Sequence, residues 1–151
     1  MLITSFRSEF RETARVLATF TAQARRAIYA QARYIQKSAR NSMKSGTPSK
    51  PSRPGSPPHA VTGLLKRFLF FSWDSSSQSM VIGPAGFKKD TGAPRILEEG
   101  GDTTAHVFYG SKAGGYKFKE KRIHVAPRPY MAPAFKTSQT KLPEFWAKSV
   151  A

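Results

Sequence analysis

Residues 5–44 contain neither glycine nor proline, and apolar or small residues recur at every third or fourth position from Phe6 to Met43. This spacing places them on one face of a helix. Gly46 and Pro48 end the pattern. At about 1.5 Å per residue the helix would be roughly 60 Å long, which exceeds the width of a compact domain of this size. The sequence therefore predicts one long amphipathic helix over 5–44 that either breaks or projects onto a neighbouring molecule.

The next segment, residues 45–60, is a proline-rich arm with five prolines in sixteen residues. Proline lacks a backbone N–H and fixes φ, so the arm suits neither a helix nor a central strand. We expect it to be extended, partly polyproline II, and exposed. It is predicted to be mobile in an isolated subunit and to lie against another subunit in an assembly. A ligand for an SH3-type domain is the alternative.

The remaining residues, 61–151, alternate between short apolar runs and turn-forming residues, which is typical of an antiparallel sheet with short connections. The predicted elements are strands at 68–73, 79–83, 105–109 and 122–125, a short helix at 94–99, a Gly- and Lys-rich loop at 110–121, and a helix at 134–150 that breaks near Pro143. The length of 151 residues suits one domain. We therefore expect a single α+β domain over 1–151, with a long N-terminal helix, a small antiparallel β-sheet of about four strands with a short inserted helix, and a C-terminal helix.

No set of residues predicts catalysis or a bound cofactor. The chain has no cysteine, which excludes disulfides, thiolate nucleophiles and iron–sulfur clusters. Its three histidines, His59, His106 and His124, lack the spacing of metal ligands. The loop at 110–117 is rich in Gly and Lys but departs from the spacing of a P-loop. We expect no enzyme activity, no cofactor and no metal.

The sequence also predicts no membrane attachment. No stretch approaches the ~20 apolar residues that a membrane-spanning helix needs. The first nine residues lack an apolar segment of signal-peptide length. We therefore expect a protein that neither crosses a membrane nor carries a cleaved signal.

Net charge is the strongest compositional feature. The chain has 25 Lys and Arg but only 9 Asp and Glu, so its formal net charge is +16. Such a charge attracts polyanions. The basic residues that follow one another along the helix, and are candidates to face DNA, are Arg25, Arg26, Arg33, Lys37, Arg40 and Lys44. Contact of this kind would be sequence-independent and steeply salt-dependent. The alternative is that these side chains form an ordinary solvated face.

Four segments, taken in order, resemble a known family. They are the arm from Pro54-Gly55-Ser56-Pro57-Pro58 into Thr62-Gly63-Leu64, the strand end Val81-Ile82-Gly83, Glu98-Glu99-Gly100, and Pro127-Arg128-Pro129-Tyr130-Met131-Ala132-Pro133-Ala134-Phe135. Their succession resembles the neck and tail-completion proteins, or head–tail connectors, of tailed bacteriophages. The resemblance spans roughly residues 10–148.

The resemblance implies a non-enzymatic structural subunit that forms a homo-oligomeric ring at the head–tail joint, around the DNA channel. Its partners would be copies of itself, other neck and tail proteins and, without sequence specificity, DNA. It would be found in the virion, and in the host cytoplasm during assembly. The alternative function is a basic, sequence-independent nucleic-acid-binding protein.

Residues in the resembling segments are candidates for the subunit interface: Pro54, Pro57, Pro58, Glu98, Glu99, Arg128, Tyr130, Met131 and Phe135. The prolines between 127 and 133 restrict the backbone and lower the entropy cost of ordering it on a partner. Tyr130, Met131 and Phe135 are then either apolar anchors for docking or a cap on the subunit's own sheet.

Overall fold

The structure is a computed structural model that describes the backbone of residues 3–86, 92–110 and 116–150 and the side chains of 18–86, 92–105 and 119–149. In chain order its helices and strands are α1 (Ile3–Ser42), α2 (Leu64–Arg67), β1 (Leu69–Asp74), β2 (Ser79–Pro84), α3 (Ala93–Glu99), β3 (Gly101–Gly110), β4 (Tyr116–Val125), α4 (Met131–Thr140) and α5 (Leu142–Val150). The predicted α+β class is confirmed.

Helix α1 is continuous over 40 residues. It is therefore about 60 Å long, whereas a compact domain of this chain length has a radius of gyration of only about 15 Å. Contacts of α1 with the rest of the chain include the stacking of Phe20 on Trp146 and the packing of Ile35 and Ala39 in the core. The helix does not break, so its length exceeds what the body of the protein can cover.

The C-terminal segment packs along α1 as two helices. α4 ends at Thr140 and α5 begins at Leu142, with Pro143 in its first turn, where the missing N–H of proline costs no helical hydrogen bond. The predicted break near Pro143 is thus confirmed. Ring contacts of Phe20 with Trp146 and of Tyr34 with Phe145 join α5 to α1.

The buried core is small and lies where α1, β1 and the start of α4 meet. Its members are Ile35, Ala39, Met43, Leu69, Tyr130 and Ala134. Tyr130 is the largest of them and is 2% exposed. The Tyr130 side chain is therefore packed inside its own subunit and is not exposed as an anchor for docking.

The four strands form two separate two-stranded antiparallel sheets, where the sequence predicted one sheet. Phe70 pairs with Gly83 in the first hairpin and Ala105 pairs with Lys121 in the second. Helix α3 lies between the hairpins, and left-handed glycines at its two ends, Gly92 and Gly100, turn the chain. β2 pairs only with β1, and β3 pairs only with β4, among the strands that the structure describes, so the second hairpin does not extend the first sheet.

The second hairpin is longer than predicted. The predicted strands 105–109 and 122–125 are parts of ten-residue strands, Gly101–Gly110 and Tyr116–Val125. Most of the predicted loop at 110–121 is therefore strand, and its residues 111–115 lie outside the described residues. Lysine and glutamate have weak strand propensity, but cross-strand pairing outweighs it over this stretch.

The burial of Tyr130 predicts a pH dependence of stability. Burial raises the pKa of the Tyr130 phenol to about 12, and the neighbouring Glu98 carboxylate adds to the rise. Between about pH 10 and pH 12 the unfolded chain loses this proton while the folded chain retains it, so the free energy of unfolding falls across that window.

Denaturant unfolding of the wild type and of Tyr130→Phe between pH 9 and pH 12 measures this dependence. We expect stability to fall more steeply above pH 10 in the wild type, because the Phe variant has no proton to lose at this position. Equal slopes for the two proteins would contradict the burial of the phenol.

Candidate functional site

Three segments that are distant in sequence meet at the start of α4, in a region that we call the junction: the arm, the end of α3 and the loop 126–130. Glu98, on α3, is its centre. Its carboxylate accepts hydrogen bonds from the backbone N–H groups of Tyr130 at 2.9 Å, Met131 at 3.1 Å and Ala132 at 2.8 Å. The next residue, Pro133, has no N–H to satisfy. Glu98 therefore caps the first turn of α4 and places a negative charge at its positive end.

Gly100 accounts for the spacing of the Glu-x-Gly motif. Its φ is 77°, and a Cβ there would lie 2.9 Å from Cδ of Pro127 and 3.1 Å from the carbonyl oxygen of Val125. Both the backbone angle and the space exclude a larger residue. The N–H of Arg128 donates to the carbonyl of Leu97 at 2.6 Å. The loop thus lies directly against the end of α3, which brings Glu98 within reach of α4.

The arm is fastened to this same loop. The N–H of Gly55 donates to the carbonyl of Pro127 at 2.8 Å, and Nε of Arg128 donates to the carbonyl of Ser52 at 3.1 Å. Although most of the arm is exposed, as predicted, the side chains of Ser52 and Pro58 are buried. In the structure, the N–H of Gly55 and the carbonyl of Ser52 thus have partners in the chain's own loop. The mobility of the arm in an isolated subunit stays a prediction.

The nine interface candidates divide between the interior and the surface. Tyr130 and Pro58 are buried, and Pro57, Glu98, Arg128 and Met131 are half-buried. Pro54, Glu99 and Phe135 are exposed. Glu99 pairs with Arg95 at 2.9 Å on the surface of α3. Only the exposed residues, Pro54, Glu99 and Phe135, offer side chains to another subunit without rearrangement of the junction.

The basic candidates on α1 also divide. Arg26, Arg33 and Lys37 are exposed, and seven- and four-residue spacings place them on one side of the helix. Lys44 is exposed just beyond the helix end. No Asp or Glu occurs between Glu12 and Asp74. In the part of the chain that the structure describes, Arg26, Arg33 and Lys37 form no ion pair, so this side of α1 is a positively charged surface.

Two of the basic candidates have partners within the subunit. The guanidinium of Arg25 lies 4.7 Å from the centre of the Trp73 ring, at cation–π distance. Arg40 is half-buried and its Nη2 donates to the carbonyl of Leu69 at 2.7 Å. Arg40 consequently stabilises the contact between α1 and β1, and the prediction that it faces DNA does not fit this position.

Sequence reasoning found the first hairpin but not its exposed apolar face. Phe71 and Trp73 lie on the side that contacts Tyr29 of α1. On the opposite side, Phe70 and Val81 are 48% and 59% exposed. The register of the strand pair could have revealed this face. Phe70 and Ser72 lie on the same face of β1, and Ser72 pairs with Val81, so Val81 lies on the face of Phe70.

The described residues contain no cluster of three or more His, Asp or Glu that could hold a metal ion. His124 forms an exposed pair with Asp102 at 2.8 Å, near the base of the second hairpin. Across the described part of the chain, no helix is both long enough and apolar enough to cross a membrane. Comparisons of the chain with protein families, with curated proteins and with solved structures give no significant match.

The junction predicts that two adjacent glutamates contribute very differently to stability. We expect Glu98→Ala to lower the free energy of unfolding by about 2–3 kcal/mol, since charged hydrogen bonds to backbone groups are lost and the first turn of α4 is left uncapped. Glu99→Ala serves as the matched control and should leave stability nearly unchanged, because its partner Arg95 lies on the surface. Denaturant unfolding of both variants measures the difference, and equal losses would show that Glu98 is not the cap.

Proposed function

We propose that this chain is a structural subunit that assembles with copies of itself into a ring at the head–tail joint of a tailed bacteriophage, with DNA passing through the ring. The observation that carries the proposal is the exposed apolar face of the first hairpin, where Phe70 and Val81 are 48% and 59% exposed. Large apolar side chains on an uncovered sheet face are typical of a subunit whose surface is covered by its neighbours.

The nature of that surface supports the same conclusion. Large apolar side chains remain exposed outside the small core, including Phe20, Phe70, Val81 and Phe135. Each of the two sheets has only two strands, so the outer edges of both hairpins lack a strand partner within the described chain. Contiguous apolar patches and open strand edges are the features that protein interfaces cover.

Charge supports the placement of DNA at the centre. Copies that each carry +16 repel one another when they are brought into a ring. A polyanion in the channel offsets this repulsion, and the exposed stripe of Arg26, Arg33 and Lys37 is a suitable surface for it. The positive charge of this exposed stripe also favours the second candidate, a nucleic-acid-binding protein that acts without assembly.

Assembly distinguishes the two candidates. We expect the nuclease-treated protein to form a closed oligomer of one defined size in native mass measurements, at increasing concentration or on addition of duplex DNA. Phe70→Ser should weaken this assembly, because it removes an exposed ring from the outer face of the first hairpin. Val61→Ser is the matched control, since Val61 is 45% exposed but lies in the segment before α2.

A protein that binds duplex DNA but stays monomeric at every concentration would contradict the ring and favour the second candidate. Melting temperatures of both variants, close to that of the wild type, would show that any loss of assembly reflects the surface and not unfolding.

A further inference from the structure

A cavity of about 510 Å³ lies between the end of α1 and the arm. The residues that give it polar character are Lys44, Arg53 and His59 together with Ser42, Ser52 and Ser56. No carboxylate lines it. Cationic groups and hydroxyls therefore share one concave surface with no negative charge among them.

Backbone contacts bring these side chains together. The N–H of Ala60 donates to the carbonyl of Lys44 at 2.8 Å, so the arm closes a loop on the end of α1. The His59 ring lies against Gly46, where a Cβ would come within 2.6 Å of the Cβ of His59, and its Nδ1 lies 3.1 Å from the carbonyl oxygen of Lys50. The fold of the arm thus builds the backbone of the cavity, and the exposed side chains of Lys44 and Arg53 line it.

The cations at this cavity are not needed to stabilise the end of α1. Near the helix end, the hydroxyl of Ser42 donates to the carbonyl of Ala39, and Nζ of Lys66 lies 3.5 Å from the carbonyl of Met43. Among the described residues, the side chains of Lys44 and Arg53 form no ion pair. Like charges held in one cavity repel one another, and a bound anion relieves that repulsion.

The wall of the cavity also contains a buried hydroxyl. The Ser52 side chain is 7% exposed, and among the described residues its Oγ has no hydrogen-bond partner. Buried hydroxyls are nearly always hydrogen-bonded, so an unpaired one requires an explanation. The Oγ atom itself is closed to solvent, so an oxyanion in the cavity would supply the missing acceptor once the Ser52 side chain rotates toward it.

We propose that this cavity binds a phosphate group, with Lys44 and Arg53 neutralising its charge and the Ser52 hydroxyl donating to one of its oxygens. Several oxygens on one centre match a site with both cations and hydroxyls, and the guanidinium of arginine pairs with phosphate through two N–H groups. The phosphate is either free phosphate or a phosphodiester of nucleic acid. The proposal goes beyond the ring and does not depend on it.

The first experiment uses inorganic phosphate and the full chain. We expect phosphate to raise the melting temperature more than sodium chloride or acetate at equal ionic strength, with saturation in a calorimetric titration. Arg53→Gln should weaken phosphate binding about tenfold or more. Lys50→Gln is the matched control, because it removes the same charge from the same arm at a residue that does not line the cavity, and it should bind phosphate as the wild type does.

An equal response of the two variants, or of phosphate and acetate, would show attraction to general surface charge and would overturn the site. No response of the wild type to phosphate would overturn it as well. Ser52→Ala adds a test with little change in volume: weaker phosphate binding at an unchanged melting temperature supports the role of the hydroxyl, and unchanged binding contradicts that role.

Duplex DNA distinguishes the source of the phosphate. If the site takes a phosphodiester, Arg53→Gln lowers duplex affinity more than Lys50→Gln does, and inorganic phosphate competes with the duplex more strongly than chloride at equal ionic strength. If the two variants bind duplex equally but differ in phosphate binding, the site is confirmed as one for free phosphate. These results do not depend on the oligomeric state, so failure of the site and failure of the ring can be told apart.

Discussion

The hydrogen bonds from the Glu98 carboxylate to the first backbone N–H groups of α4 are the interaction on which the rest of the structure depends. They fix where α4 begins, and this position places Tyr130 and Ala134 in the core against α1. The same loop that delivers these N–H groups also receives the arm through Pro127 and Arg128. One carboxylate therefore connects the helical layer, the inserted helix α3 and the proline-rich arm.

This connection gives a physical reason for the order of the motifs along the chain. Glu98 and Gly100 act as a pair, since the carboxylate reaches α4 only if the loop at Pro127 lies directly against the glycine. The prolines of the arm leave few backbone donors, and the N–H of Gly55 is one that reaches the loop. Three motifs that are weak when taken singly, in the arm, at Glu98–Gly100 and at 127–135, are thus in direct contact in the folded chain.

Local elements could be predicted from the sequence because their signals are local. The spacing of apolar residues in α1, Pro94 at the start of α3 and Pro143 in α5 all correspond to observed features. Three features could not be predicted from the sequence: the separation of the two hairpins, the burial of Tyr130, and the hydrogen bond from Arg40 to the Leu69 carbonyl. Each of them depends on how segments at least 29 residues apart are arranged. The arm shows the same limit, since its composition predicted exposure but not the partners that hold it in place.

The chain has a small core, a helix longer than the body and an exposed apolar face on the first hairpin. These features are typical of a subunit that is well packed at its centre and leaves apolar surface uncovered. The junction holds this centre together, and in the proposed assembly the exposed faces of α1 and β1–β2 would contact neighbouring copies and DNA. The hydrogen bonds that hold the arm also keep Lys44 and Arg53 in the lining of one cavity. The proposed assembly and the proposed phosphate site thus both depend on a junction that is already formed in the isolated subunit.

Amide hydrogen exchange of the isolated protein tests this dependence most directly. The account predicts that the amides of Gly55, Ala60 and Arg128, which donate to carbonyls of other segments, exchange slowly, with protection comparable to that of the α1 amides around Ile35. Exchange of the Gly55 and Ala60 amides at the rate of an unstructured chain, while the α1 amides stay protected, would contradict it.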